Sequence, residues 1–145
     1  MPSNATNEAT RAEWRELGFY YDQDAALKAW KLIGSATGLL GFANRLRRYA
    51  SHPEAQTLGE HIHLGPYGYL EVGTSVEPEI TDHWIAGPPQ DLARLAQLIV
   101  VAINDAKLGA TESLRADYAP DSPFDLAIEV REEGFDPASE DKSCW

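Results

Sequence analysis

The chain has 145 residues, 43 % hydrophobic and 24 % charged, the make-up of one average globular domain. A chain of this size buries a working core without disulfides or a structural metal. Its longest strongly apolar run, Leu98–Ile103, is far short of the roughly 20 residues a membrane span needs. Composition therefore excludes a disordered chain and a membrane-spanning one.

The charge is acidic and uneven. There are 23 acidic and 12 basic side chains, for a net charge of -11. Residues 1–110 hold 13 acids and 9 bases, whereas residues 111–145 hold 10 acids and 3 bases. An acidic surface repels phosphate backbones, so nucleic acid is not the expected partner. It suits a basic protein partner, because complementary charge speeds encounter, and it also keeps a protein dispersed. The single cysteine, Cys144, has no internal partner, which fits a reducing compartment. The N-terminus has no basic region followed by an apolar stretch, so no signal peptide is expected and the cytoplasm is the default location.

In chain order, residues 1–12 are small and polar and read as a flexible segment. Arg15–Tyr21 is rich in aromatics and reads as a strand. Asp22-Gln23-Asp24 supplies a turn, and Ala26–Ile33 reads as the returning strand of a hairpin. Gly34-Ser35-Ala36-Thr37-Gly38 punctuates the chain, with Ser35 or Thr37 placed to cap a helix. Leu39, Phe42, Ala43, Leu46 and Ala50 recur at helical spacing, so residues 38–51 are expected as an amphipathic helix that His52-Pro53 ends.

Gly59–Leu64 alternates and reads as a strand. Gly65-Pro66-Tyr67-Gly68 is turn chemistry, and Tyr69–Thr74 reads as a second strand. Asp82–Ala86 is a further strand. Gly87-Pro88-Pro89 opens a second helix with the core stripe Leu92, Leu95, Ala96, Ile99, Ala102 and Ile103. Leu98–Ile103 is apolar on all sides, so this helix is covered either within its own fold or by a second copy in a homodimer through residues 91–104. A weak strand near Glu112–Ala116 precedes a firmer one at Phe124–Val130. Residues 132–145 are polar and acidic and read as a loose tail.

Two segments look alike. Leu32, Gly34, Leu39, Phe42, Ala43 and Leu46 lie 53 positions before Ile85, Gly87, Leu92, Leu95, Ala96 and Ile99. Each segment closes alike, on Leu70-Glu71-Val72 and on Ile128-Glu129-Val130. Together these suggest a duplicated β-α-β-β unit, with repeats over residues 30–74 and 83–131. The expected fold is a single α+β domain over residues 13–131, a two-layer sandwich with two helices on one face of a mainly antiparallel sheet.

Three groups of residues could carry function. His61 and His63 flank Ile62, so in a strand both point to one face. With Glu71 on the neighbouring strand they offer two imidazoles and a carboxylate, a partial first shell for zinc. Solvent-facing strand histidines explain the same residues, and no cofactor is the default. The glycine-rich turn at Gly34–Gly38 could hold an anion at a helix N-terminus, but it lacks the Lys-Ser/Thr ending of a P-loop, and capping and turning are the favoured account of the same residues. Aromatic residues are numerous, and Tyr and Trp commonly anchor protein interfaces. Tyr67, Tyr69 and Trp84, with Glu60, are the expected partner-binding residues. No nucleophile elbow, P-loop or dinucleotide fingerprint is present, and Cys144 is almost terminal, so no enzyme is indicated.

The stretch Ile33-Gly34-Ser35, Gly38-Leu39-Leu40, Phe42-Ala43 and Leu46, followed by His61-Ile62-His63-Leu64, resembles small immunity proteins of bacterial polymorphic toxin systems. The counterpart of that family's last strand is Asp121–Val130. The resemblance covers about half of the chain, in pieces. It implies a non-enzymatic protein that neutralises a toxin domain by direct one-to-one binding. The acidic surface would then meet a basic toxin.

Overall fold

The computed structural model describes residues 3–145. The first element is a helix, α1 (Asn4–Leu17), where sequence pattern suggests a flexible segment and the start of a strand. The Ser3 side chain accepts from the Thr6 N–H at its start, and Gly18 ends it in the left-handed region at φ 92°. Within α1 only Trp14 and Leu17 are buried. An apolar stripe that narrow leaves almost no periodic signal, which is why composition suggests mobility instead.

After Gly18 come the hairpin strands β1 (Phe19–Asp24) and β2 (Ala29–Ser35). Helix α2 (Ala36–Ser51) is next, capped by the Ser35 hydroxyl, which accepts from the Gly38 N–H at 3.1 Å. Gly38 sits against the end of α1, where a Cβ would lie 1.9 Å from the Gly18 carbonyl oxygen. Only glycine permits that approach.

Beyond α2 are β3 (His61–Leu64), β4 (Leu70–Gly73), β5 (Glu79–Ile80) and β6 (Ile85–Ala86). Then come helix α3 (Pro89–Asp105), β7 (Thr111–Ser113), the single-turn helix α4 (Arg115–Tyr118) and β8 (Asp125–Arg131). The sequence extends a strand as far as Ala116, but the chain turns helical after Ser113. There the Asp125 carboxylate accepts from the Arg115 N–H and the Ser113 hydroxyl.

The result is an α+β sandwich whose strands divide between two four-stranded sheets rather than filling one. Their orders are β1-β2-β8-β7 and β3-β4-β6-β5. Each sheet consists of two antiparallel hairpins joined by a central parallel pair, β2–β8 in one and β4–β6 in the other. The halves of the chain read β1-β2-α2-β3-β4 and β5-β6-α3-β7-β8. Each half gives its first hairpin to one sheet and its second to the other. Two copies of a ββαββ unit that trade hairpins would produce this order, with one strand more per unit than the sequence comparison suggests.

Helices α2 and α3 pack on each other through the stripes that the sequence aligns: Leu39, Phe42, Ala43 and Leu46 on one, and Leu92, Leu95, Ala96 and Ile99 on the other. All eight side chains are buried. Leu98, Val100 and Ala102 are partly buried against this core, and Val101 is 48 % exposed. No helix among the described residues is long and apolar enough to cross a membrane.

Residues 132–145 pack down rather than forming a loose tail. Two short 3-10 turns, Pro137–Glu140 and Lys142–Cys144, lie against α1. Ala138, Asp141 and Cys144 are buried. The buried Asp141 carboxylate accepts from the Trp14 indole N–H at 2.9 Å, the Tyr67 hydroxyl at 2.6 Å and the Ser143 hydroxyl at 2.7 Å. Arg15 pairs with Asp136 at 3.0 Å, and Arg11 donates to the Cys144 carbonyl while stacking on Trp145. The acidity that suggests a solvated tail instead supplies carboxylates for basic and N–H groups on α1.

Candidate functional site

The candidate site lies on the second sheet. In the β3–β4 pair, His63 lies opposite Glu71 and His61 opposite Gly73, so both imidazoles share the Glu71 face. His61 Nε2 is 3.5 Å and His63 Nε2 3.8 Å from Glu71 Oε1. His83, in the loop before β6, places its Nδ1 3.6 Å from Glu71 Oε2. Three imidazoles thus converge on one carboxylate. The Glu71 side chain is only 13 % exposed, against 42 %, 54 % and 68 % for His61, His63 and His83. No lysine or arginine pairs with Glu71 among the described residues.

Local structure fixes each ring. His61 Nδ1 lies 3.0 Å from the Gly59 carbonyl oxygen, and His63 Nδ1 lies 2.8 Å from that of Gly68. A carbonyl oxygen only accepts, so both Nδ1 atoms carry the hydrogen and, in the neutral rings, both Nε2 atoms present a lone pair. His83 is held by a turn in which the Thr81 hydroxyl accepts from the N–H groups of His83 and Trp84. The Trp84 ring lies over Gly73, where a Cβ would approach it to 2.4 Å. Gly73 therefore lets the 83–84 loop settle onto the sheet beside Glu71.

His63, Glu71 and His83 also line a cleft of about 750 Å³ between the two sheets. Its other walls include Tyr20, Tyr67 and Tyr69, with the carboxylates of Asp22 and Asp82 exposed at the surface. Tyr67 and Tyr69 stack at 6.0 Å with an interplanar angle of 28°. Tyr69 is 69 % exposed. Tyr67 adopts φ 67°, a strained value for a side chain of that size, and its hydroxyl is tied to Asp141. Burial and the nearby Asp22 carboxylate push the Tyr20 phenol up to about 12, so it stays neutral and can donate.

The four residues expected to bind a partner do not form one patch. Tyr67 and Tyr69 share the cleft. Trp84 is half-buried on Gly73. Glu60 lines a second, smaller cleft beside Arg45 and Arg48, and its main-chain carbonyl accepts from Tyr49 at 2.8 Å. Sequence reasoning missed Tyr20, Asp22 and Asp82 as cleft residues. No local signal marks them: Tyr20 and Asp22 on β1 reach Tyr69 only through the packing of one sheet against the other, and Asp82 joins the cleft from the β5–β6 loop.

The glycine-rich turn before α2 is accounted for within the chain. Ser35 caps it, and Glu133 accepts from the Thr37 hydroxyl at 2.6 Å and from the Thr37 N–H at 3.4 Å. An internal carboxylate thus occupies the place where an external anion would bind. The thiol of Cys144 is buried and its pKa pushed up by that burial and by Asp141, the reverse of what a nucleophile needs.

Comparison with known proteins finds no matching family model, no matching curated protein and no matching solved structure.

Proposed function

We propose that this chain is a non-enzymatic binding protein that captures a basic protein, in the manner of the immunity proteins it resembles in sequence, and neutralises it by one-to-one docking. The observation that carries this reading is the cleft: tyrosine faces at Tyr20, Tyr67 and Tyr69 beside carboxylates at Asp22 and Asp82, in a chain of net charge -11. A guanidinium from the partner would stack on the tyrosine rings and pair with the carboxylates. The overall negative field would speed its arrival. Neither the raised Cys144 thiol nor the exposed hydroxyls supply an activated nucleophile, so binding accounts for the site without a chemical step.

The test is affinity capture from the native host with the full chain and, in parallel, with Tyr69→Ala and Asp22→Asn/Asp82→Asn variants. The expected result is one basic protein retained at a one-to-one ratio, released by salt, lost from the variants, and rendered harmless to cells when the wild-type chain is co-expressed. A partner retained equally by wild type and variants would move the interface elsewhere. The absence of any stoichiometric basic partner, in cells shown to express a candidate toxin, would overturn the reading.

A further inference from the structure

The Glu71 cluster has a property that docking does not explain. Glu71 is an acceptor-only carboxylate. The Nδ1–H bonds to the Gly59 and Gly68 carbonyls turn the lone pairs of His61 and His63 toward Glu71 Oε1, at 3.5 and 3.8 Å. Acceptor thus faces acceptor from two sides. The contact repels unless a cation lies between them. Protonating both rings would set two positive imidazolium groups side by side, with centroids 5.1 Å apart, against a single carboxylate. One divalent ion satisfies all three groups at once.

The geometry suits an ion of that kind. The ligand atoms of His61, His63 and Glu71 lie within 4.8 Å of one another. Bonds of about 2.0–2.1 Å in a tetrahedral site place ligand atoms about 3.3–3.4 Å apart. The two contacts to Glu71, at 3.5 and 3.8 Å, are already near that spacing, and the two exposed imidazoles are the groups that close in. Metal-ligating histidines characteristically donate their other ring nitrogen to a carbonyl or carboxylate, which fixes the tautomer. Both strand histidines already do so. Nitrogen donors with one carboxylate select first-row transition ions of the zinc type over calcium or magnesium, which take oxygen shells. The exposed rings leave the ion an open path in.

We infer that His61, His63 and Glu71 form a three-ligand binding site for a divalent transition metal, zinc by its donor set, with a fourth position open to solvent and His83 steadying the carboxylate from its second oxygen. The site does not depend on the docking cleft having a partner.

The test is titration of the full chain with zinc chloride by calorimetry, and with cobalt chloride by visible absorption, near pH 7.5. The expected result is one ion per chain and the intense visible bands of four-coordinate cobalt. His63→Ala and Glu71→Gln should each weaken binding at least about tenfold. His83→Ala should weaken it less, and His52→Ala, outside the cluster, should leave it unchanged. Circular dichroism and thermal midpoints of the metal-free variants establish that each is folded, as the exposure of the three rings leads one to expect. No stoichiometric uptake by the wild-type chain would overturn the inference. So would uptake that persists unchanged in the His61→Ala/His63→Ala double variant, since the ion would then sit on other surface carboxylates.

Discussion

Glu71 and Glu129 occupy equivalent places in the two sheets, yet they have opposite surroundings. Each is the middle residue of an apolar-Glu-Val triplet in the inner strand contributed by the second hairpin of its half of the chain. Glu71 stands opposite His63, and Glu129 stands opposite Thr111. Glu129 is neutralised by Arg131, a permanent cation two residues along its own strand, with Glu140 completing the pair on the other side of the guanidinium. Glu71 has only imidazoles, whose charge and ligands can change. One topology therefore carries a closed ion pair in the first sheet and an adjustable cluster in the second.

The frames differ in the same sense. The parallel pair β2–β8 keeps register over seven residues, from Ala29↔Asp125 to Ser35↔Arg131. The equivalent pair β4–β6 is two residues long. The long ladder holds the fold, and the short one supports a loop that carries His83 to Glu71. Truncating matched isoleucines tests this most strongly. Ile128 on β8 and Ile85 on β6 are both fully buried. An isoleucine-to-alanine change in a core costs about 2–5 kcal/mol, and the cost grows where the surroundings cannot collapse. Ile128→Ala should fall near the top of that range and Ile85→Ala near the bottom, measured by urea unfolding. Equal losses would erase the distinction between the sheets.

Gly73→Ala sharpens it further. The added methyl would meet the Trp84 ring at 2.4 Å and the Glu60 carbonyl oxygen at 2.9 Å. Overpacking of this kind costs about 1–3 kcal/mol. Its distinctive consequence is displacement of the 83–84 loop, visible as a change in Trp84 fluorescence and a weaker His83 contribution to metal binding. A variant of wild-type stability with an unchanged fluorescence spectrum would show that the ring does not lie on the sheet.

Acid should weaken the fold where the C-terminal segment meets α1. Burial pushes the Asp141 carboxyl up, but its bonds from Ser143, Tyr67 and Trp14 outweigh that and hold it below its ordinary value of 3.8. The Arg15 hydrogen bond chiefly holds Asp136 below the same value. Groups whose folded pKa is lowered stabilise the fold above their unfolded pKa, and that stability is lost as pH falls through the folded value. Thermal midpoints should therefore be flat near neutrality and drop below about pH 4, the range just above and below that ordinary value. Asp141→Asn should cost about 1–3 kcal/mol near neutrality and make the acid drop shallower. An unaltered slope in that variant would remove Asp141 from the acid response.

Much of the fold is legible in the sequence because it is local. The period of Leu39, Phe42, Ala43 and Leu46 marks α2, and the His-x-His alternation places His61 and His63 on one face with Glu71 across the hairpin. The two-sheet division is not legible, since it depends on β2 choosing β8 about a hundred residues away, a pairing that no local pattern encodes. The same non-local choice brings Tyr20 and Asp22 of one sheet to Tyr69 of the other. Helix α1 stays hidden because two buried side chains make no stripe. The C-terminal segment reads wrongly because its carboxylates look solvated until the basic and indole N–H groups of α1 are set against them.

The smallest effects separate the two glutamates most cleanly. Glu129→Gln keeps the shape and removes one charge beside a half-exposed Arg131, which still has Glu140 at 3.6 Å. Such pairs are worth about 0–1 kcal/mol, so the thermal midpoint should fall slightly and the fall should shrink in high salt. Glu71→Gln should behave differently. A glutamine amide can donate to the Nε2 lone pairs that the carboxylate opposes, converting an acceptor-acceptor contact into a hydrogen bond. In metal-free protein near neutral pH its midpoint should stay level or rise, even as metal affinity collapses. If Glu71→Gln instead destabilises the metal-free protein as much as Glu129→Gln or more, the imidazoles were already satisfying the carboxylate. Glu71 would then be a structural group like its counterpart, and the two sheets would be alike after all.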